Sequence, residues 1–162
     1  MPSTYLIALG SNRRHHRYGA PQAVVQAAME ELAAFGTVTA RSPIIATPAM
    51  GAAQRRFANA AAVLESELDP PSLLAACKHT ERAFGRRPGQ RWGDRVLDLD
   101  IVLWSGGVWA SKMLTIPHPA FAQRRFVLDP ACAIAADWRT RPRGLRLIHH
   151  QARLTRPRPL PR

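Results

Sequence analysis

Apolar and polar positions along the chain fall into a short series of elements. Residues 4 to 9, TYLIAL, are an apolar run ending at Gly10-Ser11-Asn12, which predicts a strand followed by a turn. From Ala20 to Phe35 the residues Val25, Ala28, Met29, Leu32 and Phe35 recur at helical spacing, and Gly36 closes the helix. Thr37 to Ala46 is rich in β-branched residues and predicts a strand that stops at Thr47-Pro48. Phe57 to Glu65 predicts another, with Phe57, Asn59, Ala61 and Val63 on one face. Pro70-Pro71 opens a helix whose apolar stripe runs Leu74, Cys77, Glu81, Phe84. Glu81 is out of place there, since a carboxylate on an apolar stripe needs a partner or water.

The most informative stretch is RVLDLDIVLW, Arg95 to Trp104. As a strand it puts Leu97, Leu99, Ile101 and Leu103 on one face and Asp98, Asp100, Val102 and Trp104 on the other. Both acids then point the same way, with α-carbons about 7 Å apart by strand rise. Gly106-Gly107 turns the chain, and Val108–Trp109 and Leu114–Ile116 are short extended pieces leading into PHPAF. The order strand, helix, strand, strand, helix, strand is the split βαβ pattern, so the expected fold is α+β, a ferredoxin-like (βαββαβ) α/β/α sandwich.

At 162 residues the chain suits one domain with a proper core. Residues 1–138 are expected to form it, and residues 139–162, rich in arginine and proline, a basic extension that reads as a solvated tail, partly packed at most. No apolar run is long enough to span a bilayer, and MPSTYLIALGSN reads as a first strand rather than an export signal, so a cytoplasmic location is expected. Cys77 and Cys132 lie far apart among alanines and leucines and read as core residues rather than a disulfide or metal pair. The net charge of +12 points to a polyanionic partner without saying which.

The two aspartates narrow that choice. Mg²⁺ takes oxygen ligands, commonly one or two carboxylates, and completes its octahedron with water and substrate phosphates. Arg86, Arg87, Arg91 and Arg95 precede the acids and Arg124 and Arg125 follow them, and arginine forks suit phosphate oxygens. Cations and Mg²⁺ together would clamp a polyphosphate during group transfer. Neither GxxxxGK[ST] nor GxGxxG occurs, so a nucleotide must be held by another device. The histidine pairs lack a third ligand at zinc spacing. His118, between two prolines, is more rigidly placed and suits a phosphate or leaving-group contact.

RWGDRVLDLDIVLW together with LTIPHPAFAQRRFVLDP closely resembles the two signature blocks of the 6-hydroxymethyl-7,8-dihydropterin pyrophosphokinase family (HPPK), and YLIALGSN and the region from TPAMG to FANAAAVLE are similar to it as well. The resemblance implies transfer of the pyrophosphoryl group of ATP to the pterin hydroxymethyl oxygen, releasing AMP, in folate biosynthesis. It implies Asp98 and Asp100 as ligands of two Mg²⁺ ions, and Arg95 and Arg86 as catalytic arginines. It implies Glu81, Arg91, Ile101, Thr115, His118 and Arg124 at the ATP site. For the pterin it implies Phe57 and Phe126 as sandwiching rings, Trp92 on a closing loop, Asn59 reading the pterin edge, and main-chain groups of Thr47, Pro48 and Met50. The partners implied are ATP and the pterin, for a monomer with neither membrane nor nucleic acid. The departures are Asp94, where the family usually has proline, and Met113, where some members carry arginine. The alternative is a nucleic-acid-binding module on the same fold, for which the arginine-rich end is the motive.

Overall fold

The structure, a computed structural model, describes residues 1–48, 56–85, 95–140 and 144–157. The apolar run at the start forms β1 (Ser3–Ser11), and the amphipathic segment after it forms α1 (Pro21–Glu31), opened by a proline in its first turn and followed by a 3-10 turn over Leu32–Ala34. The strand expected over Thr37 to Ala46 is instead two, β2 (Thr37–Arg41) and β3 (Ile45–Thr47). The break falls at Ser42-Pro43, where proline supplies no N–H to a ladder. Ser42 keeps the link to the neighbouring strand, its N–H donating to the Ala61 carbonyl at 2.9 Å and its Oγ accepting from the Ala61 N–H at 2.8 Å.

Next come β4 (Phe57–Ser66), α2 (Pro70–Ala83) and β5 (Asp98–Trp104). Asp69 caps α2, its side chain accepting from the Ser72 N–H at 2.9 Å, and hydrogen bonding from Ser72, by its side chain first and its N–H second, lowers the Asp69 pKa below the ordinary carboxylate value. The buried stripe of α2 is Leu73, Cys77, Thr80, Glu81 and, just past its end, Phe84. Cys77, Glu81 and Phe84 are buried as expected, and Leu73 takes the place expected of Leu74, which is only half-buried. A small ribbon follows, β6 (Trp109–Ala110) with β7 (Thr115–Ile116).

The main sheet runs β2-β4-β1-β5, all antiparallel, with β3 also paired to β4. Counting β2 and β3 as one interrupted strand, this is the spatial order of the split βαβ fold, and the expected ferredoxin-like class is the observed one. One face of the sheet packs on α1 and α2 through Tyr5, Ile7, Leu9, Leu64, Leu97 and Leu99. The other carries Leu6, Ala61, Val102 and Leu103 against α3 (Arg125–Ala135).

The strict alternation expected along β5 breaks near its end. Leu6 pairs with Leu103 but Ile7 pairs with Ile101, so Val102 is an extra residue, a bulge. Leu97, Leu99 and Ile101 face α1 and α2 as expected. Beyond the bulge the faces exchange: Leu103 joins the α3 side and Trp104 the α1 side.

The C-terminal segment is more ordered than its composition suggests. It forms a ribbon, β8 (Arg139–Thr140) with β9 (Leu145–Arg146), and a helix, α4 (Leu147–Thr155), packed on α3. Leu147 is fully buried, His150 sits edge-on to Phe121 at 5.1 Å, and Gln151 Nε2 donates to Asp129 Oδ1 at 2.9 Å. The segment is thus partly packed on the domain, while most of the other residues of α4 stay exposed. Three anchors inside a basic stretch decide the outcome, because burying one leucine and pairing two polar groups outweighs the preference of the arginines for water.

Cys77 and Cys132 are free thiols. Burial pushes the Cys77 thiol up to about 12, with the charges of Glu81 and Asp100 adding to it and Lys78 opposing, so it is an inert core residue as expected.

Candidate functional site

The site builds on one row of residues across three strands. Gly10 of β1 pairs with Asn59 of β4 on one side and with Asp98 of β5 on the other, and Ala8 stands likewise between Ala61 and Asp100. Directly opposed residues of an antiparallel ladder project to the same face, so Asn59, Asp98 and Asp100 share the α3 face, joined by Phe57 two residues before Asn59. The middle strand contributes only a hydrogen and a methyl group to that face. The result is a trough about 10 Å wide, twice the strand spacing, between an amide wall and a carboxylate wall. A Cβ on Gly10 would stand 3.0 Å from Asn59 Oδ1.

On the amide wall, Asn59 is buried and its Nδ2 donates to Thr47 Oγ1 at 2.7 Å. That bond turns Oδ1 toward Gly10 and fixes the amide's orientation. Thr47 is half-buried on β3, opposite the half-buried Phe57, and Pro48 is exposed just beyond.

On the carboxylate wall, Arg95 donates from Nη1 to Asp98 Oδ1 at 2.9 Å, with both side chains about a quarter exposed, at 22 and 24 %. Charge-assisted bonds of this kind are short and directional, so the pair presents a preset arrangement of opposite charges at the trough. The Arg95 backbone is itself clamped: its N–H donates to Asn12 Oδ1 at 2.6 Å and its carbonyl accepts from the Asn12 N–H at 3.0 Å. Asn12 was legible only as part of the Gly-Ser-Asn turn. An amide supplies both a donor and an acceptor, but which backbone it would hold is a matter of tertiary approach.

His118 lies close enough to Asp100 and to Arg124 for the charge of each to act on it. Burial lowers the His118 pKa below the ordinary imidazole value, Arg124 adds to that, and Asp100 opposes both. His118 Nδ1 accepts from the Ala120 N–H at 3.2 Å, so the neutral ring carries its proton on Nε2. The backbone N–H of His118 donates to the Val102 carbonyl at 3.0 Å, tying this loop to the bulge. Arg124 is the N-cap of α3 and stacks over the Phe126 ring, its guanidinium carbon 5.6 Å from the centroid. Pro130 inside α3 withholds the N–H that would have met the Phe126 carbonyl.

Glu81, expected at the nucleotide, lies buried beneath β5. It is 1 % exposed, Oε1 accepts from the Leu99 N–H at 2.9 Å, and Lys78 Nζ lies 3.2 Å from Oε2. The Ile101 side chain is buried between the sheet and α1 and α2, on the face opposite the aspartates. Any contact from it to a ligand on the α3 face is by main chain. Thr115 is exposed on β7, and Met113, also exposed, lies on the same ribbon. Arg86, Arg91, Met50 and Trp92, with Asp94, lie outside the described residues.

Two carboxylates on one strand face, partly exposed and next to an arginine, fit Mg²⁺, which needs few protein ligands when phosphates and water supply the rest. Among the described residues no group of three or more His, Cys, Asp or Glu side chains forms a closed metal cage. Two carboxylates alone would leave coordination positions for water and phosphate oxygens.

Fold and site together define a phosphoryl-type transferase built on a ferredoxin-like sheet. Comparison with known proteins makes this particular. The model of the family described as 7,8-dihydro-6-hydroxymethylpterin-pyrophosphokinase (HPPK) matches residues 6–136, and the chain belongs to that family. A protein of Methylorubrum extorquens named 2-amino-4-hydroxy-6-hydroxymethyldihydropteridine pyrophosphokinase is 39% identical over 140 residues, covering 85% of each chain. The Haemophilus influenzae protein of the same name is 36% identical over 137 residues, 83% of this chain and 82% of the relative. Among solved structures, a Plasmodium falciparum HPPK-DHPS crystal structure with pteroate superposes with a TM-score of 0.72 at 11% identity, over 94% of this chain and 42% of that one, which supports the fold.

Proposed function

We propose a division of labour for the family's reaction, the transfer of the pyrophosphoryl group of ATP to the hydroxymethyl oxygen of 6-hydroxymethyl-7,8-dihydropterin in folate biosynthesis, with release of AMP. The observation that carries it is the trough, with Asp98 and Asp100 on one wall beside Arg95 and Asn59 on the other.

Asp98 and Asp100 would hold two Mg²⁺ ions, which would supply neutralisation of phosphate charge when bound. Arg95 exchanges part of its contact with Asp98 for the transferring phosphates as charge builds on the bridging oxygen, and Arg86 assists. His118, neutral at physiological pH, donates from Nε2 to the nucleotide, and Arg124 adds positive charge at its other side. Arg91 and Thr115 complete the ATP contacts, with the main chain of Ile101.

The pterin lies flat between Phe57 and Phe126, under Trp92. Asn59 Oδ1 accepts from the pterin ring edge, and main-chain groups of Thr47, Pro48 and Met50 read the remainder. Placing the hydroxymethyl oxygen in line with the phosphorus supplies most of the acceleration, since this class of reaction depends on positioning and electrostatics. Among the described residues no helix is long and apolar enough to cross a membrane, and we read the protein as a cytoplasmic monomer.

The test is product identity. Purified protein with ATP, Mg²⁺ and the pterin should yield AMP and a pterin diphosphate, separated by chromatography. ADP as the nucleotide product, or intact ATP, overturns the reading.

A further inference from the structure

We infer that Glu81 is a positioning residue for the metal-binding strand rather than a nucleotide contact. The inference rests on the assignment of Asp98 and Asp100 as Mg²⁺ ligands given above. Among the described residues β5 is the outermost strand of its side of the sheet, and its outward backbone donors meet no further strand there. The Leu99 N–H lies between the two aspartates in sequence, and it donates to Glu81 Oε1 at 2.9 Å. The carboxylate comes from α2, which packs against the same strand through Leu73 and Cys77. It therefore fixes the peptide linking Asp98 to the rest of β5 against a rigid helix.

The burial supports this role over a ligand contact. Glu81 is 1 % exposed, whereas Asp98 and Asp100 are partly exposed on the other face of the sheet. Lys78, one turn earlier on α2 and 41 % exposed, balances the charge at 3.2 Å. A buried carboxylate that accepts from a cation at both oxygens, 3.4 and 3.2 Å, and from a strand N–H at Oε1 holds a defined direction. Through it, the spacing and pitch of two carboxylates that share a metal site are set from behind.

The experiment compares Glu81→Ala and Glu81→Gln with the wild type in three measurements. The first is amide exchange at Leu99 relative to Ile7, a β1 amide that reports global opening. The second is calorimetric Mg²⁺ binding in the presence of a non-hydrolysable ATP analogue, and the third is binding of that analogue without metal. Glu81→Ala should speed Leu99 exchange at least about 10-fold relative to Ile7 and weaken Mg²⁺ binding by about 10- to 100-fold, with metal-free analogue binding unchanged. Glu81→Gln, which keeps an oxygen acceptor, should restore most of both losses, and it carries the test should the alanine variant not fold. Weakened metal-free analogue binding in either variant, with Leu99 exchange and Mg²⁺ binding unchanged, overturns the inference. Failure of the pyrophosphoryl-transfer reading is seen separately, as wild-type protein that forms no AMP.

Discussion

Asn59 and Asp98 stand in one cross-strand row, separated only by Gly10. The residue proposed to read the pterin and the residue proposed to hold metal are thus set at a fixed distance by the sheet itself. Adding a methyl group between them pushes on Asn59 Oδ1 from 3.0 Å, and Asn59 is already committed to Thr47. Gly10→Ala should therefore raise the pterin KM and lower kcat, together up to about 10²-fold, because misplacement by a fraction of an ångström is costly in an in-line transfer. Steady-state kinetics with each substrate varied will check this. The ATP KM should change least.

The carboxylate wall makes a sharper prediction. Asp98→Asn and Asp100→Asn each remove a charge from the proposed metal site while keeping shape, and each should lower kcat by about 10²-fold or more. A chelator should abolish turnover in the wild type, and added Mg²⁺ should restore it. Either variant with wild-type turnover would sink the metal assignment.

The C-terminal helix should matter for stability. Leu147 is fully buried against the α3 layer, so Leu147→Ala should destabilise the fold by about 2–5 kcal/mol, read from urea unfolding. An exposed arginine on the same helix, Arg153, should be replaceable by alanine with little change.

Acid should weaken the same region before carboxylates titrate. Burial lowers the pKa of His150, with Arg153 and His149 adding to the effect, and burial likewise lowers that of His15. The unfolded chain takes up these protons near the ordinary value, about 6.5, and the folded chain only at lower pH. Between the two, the unfolded state holds more protons, so stability rises with pH. The contribution is complete above about pH 6.5 and declines as pH falls toward the folded values. Urea midpoints measured from about pH 7.5 down to about pH 5 should fall, and His150→Asn should flatten part of that slope.

Much of the chain is legible without coordinates because its signals are local. Period-two and helical patterns mark β1, β4, α1 and α2, and the signature around Asp98 and Asp100 puts two acids on one strand face whatever surrounds them. Proline at position 43 splits a strand that β-propensity alone would run on, since a missing N–H outweighs a preference of a few tenths of a kcal/mol. Tertiary structure decided the rest. The bulge at Val102 reverses the faces of Leu103 and Trp104, because register depends on the partner strand. Glu81 turned from an oddity on a helix into the partner of the Leu99 N–H, and Asn12 into the clamp on Arg95, because both bonds close between segments distant in sequence. The arginine-rich end folded against α3 for the same reason: composition reports what a segment prefers alone, and only the neighbouring surface determines whether Leu147 has somewhere to be buried.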